Sequence, residues 1–506
     1  MHRDEPTGSA VVTMPPVPLD RLLDAHASAG SGAVALFCGD RVLSYSELDA
    51  TTDRLAAWFL SEGLQPGDRV AIQWPNAIEV AQVYFAAFKA GLIAVPINLR
   101  LKPSEIAWIM NDAAPSLCFV PPALAAAMPQ TTVRLLSDLP DIVRVETPVE
   151  LFEVSDDAPA MILYTSGSTG RPKGAVLTHQ ALMATAELCT QVFVDPFGDS
   201  VKPCGLAMTP LMHASGLYAL LSMVRIGAPC ALLAAFEPGA VLDAFERHRC
   251  TLTLTLPAMM QFVLEEQVCR PRDLSALRAI FAGGDSVPVA LQQRVSQVMG
   301  VPIVEGLAQT ETGPTIVNPL DHPKSGALGR AYPDVELRIV GAVGQSVADG
   351  ESGELLVRSP AMCSGYWNNP RATAEAFRDG WFHTGDLVSK DAEGYYWFRG
   401  RLKEIIIRGG SNISPQEVEE ALYMLPTILE AAVVGLPHDV WGEIVVAGVV
   451  FRQGTSATED EVRRHAREVL ADYKVPERVH VFAALPKGPT GKVHRRAVRD
   501  MLLGNV

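Results

Sequence analysis

The sequence predicts an α/β protein. A large N-terminal domain of mixed, largely parallel sheets with flanking helices and a small β-barrel-like subdomain is followed by a small mobile α+β C-terminal domain. Three observations predict this. Short apolar runs alternate with amphipathic helical stretches through the first part of the chain. From Val335 to Phe398 the runs shorten and lie between glycine-rich turns. Beyond Glu404 the helix and strand patterns restart over a length typical of a small independent domain. At 506 residues the chain also exceeds what one hydrophobic core organises.

Each element has a local reason. Ser44 and Glu47 stand at capping-box spacing ahead of Leu48, Leu55 and Phe59 on one helical face, and Gly63 supplies the stop. Val70-Ala71-Ile72 reads as a buried strand, the run through Val80, Tyr84 and Phe88 as a helix, and Leu92 to Pro96 as the next strand. Strands joined through helices need crossover connections, hence a parallel sheet. The rhythm recurs around Leu206 to Thr209, Leu252 to Leu256, Ala279 to Ala282 and Val301 to Glu305. Leu217 to Phe236 is the most apolar stretch, but Arg225, Gly227 and Pro229 interrupt it; it reads as helix then strand, not a membrane span. Glu354 to Arg358 and Tyr395 to Phe398 read as antiparallel strands closing the large domain. The expected division is 1–400 for the large domain, 401–403 for a hinge and 404–506 for the lid. In the lid, Ser414, Pro415 and Glu417 supply N-cap, N1 and N3 of a helix. Strands at Ala431 to Val434 and Val445 to Phe451 follow, then a helix from Glu459 to Leu470.

A formal charge of −15 argues against broad nucleic-acid binding, which needs a basic face. An acidic protein that handles phosphates must build its positive field locally. The eight cysteines are scattered without a C-x-x-C pair, so neither a zinc site nor a disulfide framework follows. Met1 to Asp20 carries charges and prolines but no apolar core of a signal peptide. The expectation is a cytoplasmic protein of a reducing compartment.

The chemistry concentrates in five strings. Tyr164-Thr165-Ser166-Gly167-Ser168-Thr169-Gly170-Arg171-Pro172-Lys173-Gly174 packs hydroxyls, glycines and a lysine into one turn leaving an apolar strand. Glycines let main-chain N–H groups converge on an anion. It is not the common P-loop, because Lys173 sits between Pro172 and Gly174 instead of opening a helix. Gln309-Thr310-Glu311-Thr312 offers a hydroxyl and the hard carboxylate that Mg²⁺ prefers. His383-Thr384-Gly385-Asp386 presents an acid suited to accepting from two ribose hydroxyls. Gly400-Arg401-Leu402-Lys403-Glu404 follows an aromatic strand, and Pro489-Thr490-Gly491-Lys492 sets a lysine on a loop near the C-terminus. Singly, each reads equally well as a solvated charge or a turn; together and in order they do not.

The set resembles the adenylate-forming superfamily of acyl-CoA synthetases, peptide-synthetase adenylation domains and beetle luciferases, over about Leu43 to Lys492. The resemblance implies that Thr165, Ser166, Gly167, Ser168, Thr169, Gly170 and Lys173 bind the β- and γ-phosphates of ATP. It implies that Glu311 holds Mg²⁺, Thr310 reaches a phosphate, Asp386 and Arg401 bind the ribose, and Lys492 bridges carboxylate and α-phosphate. Gly283, Gly284, Asp285 and Leu307 would flank adenine. His213, Ser215, Tyr218, Ala282, Gly283 and Ala308 would border the acid. Gly409, Gly410 and Trp441 would shape a coenzyme A channel, and Lys403 would be the hinge about which the lid rotates. The implied catalytic set is Lys492, His213, Thr310 and Glu311.

The implied reaction has two steps. A carboxylate attacks the α-phosphorus of ATP, giving acyl-adenylate and pyrophosphate; the lid then swings and the thiol of coenzyme A displaces AMP. Four positions depart from the family pattern. Ser168 replaces a common threonine, Met212 an aromatic before the histidine, and Leu307-Ala308 an aromatic and a glycine beneath adenine. Around His213 to Tyr218 the residues are small and uncharged, although Arg225 is near in sequence, so an apolar monocarboxylic acid (fatty, aromatic or alicyclic) is expected. With the chain expected to end soon after the lysine loop and to carry no carrier domain, coenzyme A is the expected acceptor. Transfer to a carrier protein or separate enzyme, and a non-catalytic nucleotide- or acyl-binding relative, stay open as alternatives. A homodimer is an open assembly.

Overall fold

Two sheets with parallel centres carry the large domain. The computed structural model describes residues 17–29, 32–121, 132–134, 136–144, 151–165, 171–198, 200–285, 287–488 and 491–504. A nine-stranded sheet runs in parallel from Val34–Cys38 through Cys230–Leu232, Gly205–Ala207, Leu252–Thr255 and Ala279–Gly283 to Ile303–Gln309, with antiparallel strands at both edges. A six-stranded sheet places Arg69–Ile72, Ile93–Pro96 and Pro159–Thr165 in parallel and ends with the antiparallel strand Lys173–Thr178. The strand positions match the sequence reading to within a few residues.

Helix Tyr45–Ser61 starts as expected, with a reciprocal capping box between Ser44 and Glu47. Helix Ile78–Lys89 is buried all round, as a helix packed inside the large domain must be. Its last residue, Lys89, is buried as an ammonium only because Asp49, Asp53 and Asp24 surround it. Ala214–Arg225 and Cys230–Leu232 form the helix and strand expected of the most apolar stretch. Among the described residues no helix is long and apolar enough to cross a membrane. All eight cysteines are free, and only Cys269 is exposed.

The segment read as a barrel-like subdomain is a five-stranded antiparallel sheet that includes Gly353–Arg358, Trp381–Lys390 and Tyr396–Arg401. The C-terminal sheet is built on the long pair Ile428–His438 and Gly442–Phe451. Helix Pro415–Tyr423 begins where predicted, but the Ser414 side chain forms no cap; its Oγ is buried without a partner. Pro415 at N1 removes one of the helix's orphan donors but not the N2 and N3 groups a cap would satisfy. The next helix, Glu459–Val469, has a full capping box from Thr458 and Glu461.

Candidate active site

The C-terminal ends of strands from both parallel sheets face one cavity of about 1100 Å³, where open α/β sheets place ligands. Thr165 ends one strand, Gly283 a second, and Gln309 a third. Thr165 pairs in register with Lys173 across the hairpin, so the two ends of the glycine-rich loop are fixed side by side. Ser166, Gly167, Ser168, Thr169 and Gly170 lie outside the described residues. Lys173 Nζ sits 5.0 Å from the ring centroid of Tyr366.

Glu311 follows directly. Its Oε1 accepts from the Tyr366 hydroxyl at 2.9 Å and from Thr165 Oγ1 at 3.3 Å. Both bonds fall on Oε1; among the described residues no hydrogen bond reaches Oε2, and Glu311 and Thr310 both line the cavity. A half-buried carboxylate with one oxygen oriented and the other uncommitted fits a hard divalent cation.

Asp386 and Arg401 are register partners on adjacent strands. Asp386 is fully buried; its Oδ2 accepts from Gln309 Nε2 at 2.7 Å. Oδ1 lies 2.9 Å from Arg401 Nε, yet off the line of that N–H, so it makes no hydrogen bond. An ion pair is present, and one buried oxygen still lacks a donor. Burial pushes the carboxyl above the usual range, against the pull of Arg401, Gln309 and Lys492.

His213 ends the loop before helix Ala214–Arg225. The loop is drawn tight because Gly216 has no side chain: a Cβ there would fall 2.3 Å from the Pro210 carbonyl oxygen. Asn98 Nδ2 donates to His213 Nε2 at 2.8 Å. Burial first, then the charges of Lys492 and Arg100, lower the imidazole to about 4, so it is neutral near pH 7. Ser215, Tyr218, Ala282, Gly283 and Ala308 line the same cavity, together with Phe193, Phe281 and Tyr332. Tyr218 presents its ring, and its hydroxyl is buried without a partner. Arg225 is tied to Glu187 at 3.0 Å and lines no part of the cavity.

Lys492 completes the enclosure. An ideal Cβ on Gly284 would lie 3.1 Å from its Nζ, which puts the ammonium against the glycine turn. The side chain is crowded by protein yet lines open cavity, so it is both enclosed and accessible. Desolvation and Arg401 lower its pKa; Asp285, Asp386 and Glu311 oppose them. Arg495 anchors the segment. It holds Glu419 through Nη2 at 2.7 Å and Nε at 3.2 Å, and reaches Glu404 at 3.3 Å.

Glu305 is buried where the Ile303–Gln309 strand enters the site, accepting from Val287 N at 3.2 Å, and burial raises it to about 8. Thus Thr165, Lys173, His213, Ser215, Tyr218, Ala282, Gly283, Gly284, Leu307, Ala308, Thr310, Glu311, Arg401, Lys403 and Lys492 line one cavity. Asp285 sits beside it and Asp386 behind its wall. Gly409, Gly410 and Trp441 do not line it; in the C-terminal domain Gly409 packs on Trp441, where a Cβ on Gly409 would meet it at 3.0 Å, while Gly410 has open space beside it. Sequence reasoning missed Asn98, Arg100, Gln309 and Tyr366. Asn98 and Arg100 had a signal: their loop follows the C-terminal end of the parallel strand Ile93–Pro96.

Known proteins resemble this chain over most of its length. The family described as AMP-binding enzyme matches residues 23–367, and its C-terminal domain matches 417–492. A feruloyl-CoA synthase of Amycolatopsis sp is 38% identical over 92% of this chain and 95% of its own. An indoleacetate–CoA ligase of Aromatoleum aromaticum is 36% identical over 96% and 98%. Among solved structures, the anthranilate CoA ligase AuaEII in complex with anthranoyl-AMP superposes with a TM-score of 0.90 at 26% identity, over 97% of this chain and 98% of that one. ATP-bound MatB from Rhodopseudomonas palustris gives 0.88 at 28% identity, over 96% and 99%.

Proposed function

The chain belongs to the AMP-binding enzyme family, and from that premise we propose which acid it activates and which residues carry the two steps. The protein is an AMP-forming acid–CoA ligase that activates a carboxylic acid with ATP. Its acid is an apolar monocarboxylic acid (fatty, aromatic or alicyclic). The wall formed by Phe193, Tyr218, Phe281 and Tyr332 beyond His213 supports this, because it carries no charge to pair a second carboxylate.

In the first step the substrate carboxylate lies between His213 and Lys492. The neutral imidazole, oriented by Asn98, adds no negative charge beside the nucleophile. Lys492 offsets the repulsion between carboxylate and α-phosphate, and the phosphates it meets would raise its pKa again. Lys173, Thr165 and the glycine-rich loop hold the outer phosphates in line for departure as pyrophosphate. Glu311 would hold Mg²⁺, which would neutralise charge on the phosphates when bound. Arg401, which lines the cavity, and Asp386 Oδ1, the buried acceptor still lacking a donor once Arg401 shifts to expose it, would take the ribose hydroxyls.

The single observation that carries this reading is Lys492 resting on Gly284 inside the cavity, reached from a separate C-terminal sheet. In the same orientation Gly409, Gly410 and Trp441 face elsewhere, so coenzyme A chemistry at those residues needs the lid to turn about 401–403. A relative that is a fatty acid–[acyl-carrier-protein] ligase, 32% identical, keeps a carrier acceptor as a second reading. Pyrophosphate release over a panel of carboxylic acids, with and without coenzyme A, tests both. An apolar monoacid should give release in either case and a thioester only with coenzyme A. Preference for a diacid would overturn the proposed substrate class.

A further inference from the structure

The lid meets the large domain a second time, away from the cavity. Helix Pro257–Cys269 turns Ala258, Met259 and Phe262 toward the cavity. Gln261 and Glu265, one turn apart, occupy another face and meet the lid. Arg294 Nη1 holds Glu265 Oε1 at 2.7 Å from within the large domain, which fixes the carboxylate before the lid arrives. From the lid side, Arg452 stands just after strand Gly442–Phe451, with its Nε donating to the Pro426 carbonyl at 3.0 Å. Its Nη1 lies 3.5 Å from Glu265 Oε1, and the Gln261 amide, oriented with its oxygen toward the guanidinium as those donors require, accepts from Nη2 at 3.1 Å.

We propose that Arg452, gripped by Glu265 and Gln261, is a positioning residue that latches the lid in the orientation placing Lys492 over Gly284. The proposal rests on the reading above that the lid must turn between the two half-reactions. A planar guanidinium fixed at Nε and presenting two N–H groups suits a latch, because two acceptors on one helical face define an orientation as well as an attraction. The ion pair is partly exposed, so its contribution is small, and a latch released once per turnover must be small. Arg452 touches neither cavity nor substrate, so it acts only on the population of lid orientations.

The test separates the half-reactions, using the acid that releases pyrophosphate fastest in the panel. Arg452→Ala should slow carboxylate-dependent pyrophosphate exchange about two- to five-fold, the range such a pair allows. It should leave acyl transfer from supplied acyl-adenylate to coenzyme A unchanged or faster. Glu265→Gln, which leaves the lid's own packing intact, should act in the same direction. The double variant should be no worse than Arg452→Ala, the non-additivity of a shared contact, and Arg452→Lys should recover part of the loss. Equal slowing of both half-reactions, additive effects, or no effect on exchange would overturn the latch. If coenzyme A is not the acceptor, the parent enzyme itself shows no transfer, and the exchange measurements still decide on the latch.

Discussion

Gly284→Ala probes the closed site through one methyl group. Gly284 has φ +84°, and an added Cβ would lie 2.9 Å from Lys492 Cε, 3.1 Å from Nζ and 3.2 Å from Leu256 Cδ2. Holding alanine in the left-handed region costs roughly 1–2 kcal/mol, which for domains this large lowers the melting temperature by a few degrees. The clash itself adds little, since the far end of a lysine can swing aside. The amine that swings, however, is the one proposed to stand between carboxylate and α-phosphorus. A misplacement of about 1 Å costs on the order of 100-fold, close to the ~100–1,000-fold for losing a preorganised charge. Carboxylate-dependent pyrophosphate exchange should therefore fall about 100-fold. Acyl transfer from supplied acyl-adenylate, proposed to occur with the lid turned away, should stay near the parent rate. Equal loss of both half-reactions would refute the reasoning, placing the role of Gly284 in the nucleotide pocket and not under Lys492.

Three further outcomes are expected. Lys492→Ala should reduce adenylate formation ~100–1,000-fold while sparing thioester formation from added adenylate, read by the same pair of assays. Tyr366→Phe removes one of the two donors that orient Glu311; the magnesium concentration for half-maximal pyrophosphate release should rise several-fold with little change in melting temperature. Glu305, raised to about 8 by burial, keeps its proton in the fold after the unfolded chain has lost it. Its contribution is therefore present below the unfolded carboxyl pKa and lost as pH rises through about 8. Glu305→Gln should flatten that decline in thermal melts between pH 5 and 8; an unchanged slope would show that other groups cause it.

The sequence by itself determined the elements and the local chemistry. Alternating strand and helix patterns specified the parallel sheets, and the capping box at Ser44 marked its helix to the residue. The Thr165–Lys173 turn was legible because one short connection joins its ends, whereas the pairing of Asp386 with Arg401 across adjacent strands appeared only in the structure. The absent side-chain cap at Ser414 was not, since capping residues do not reveal where a hydroxyl is buried. Only the tertiary structure decided which distant groups meet: Tyr366 with Glu311, Asn98 with His213, Lys492 with Gly284 and Arg452 with Glu265. The physical reason is that a contact between remote segments is fixed by how sheets and lid pack. No periodicity or local propensity along the chain carries that packing, so these pairings appear only once the cavity is closed.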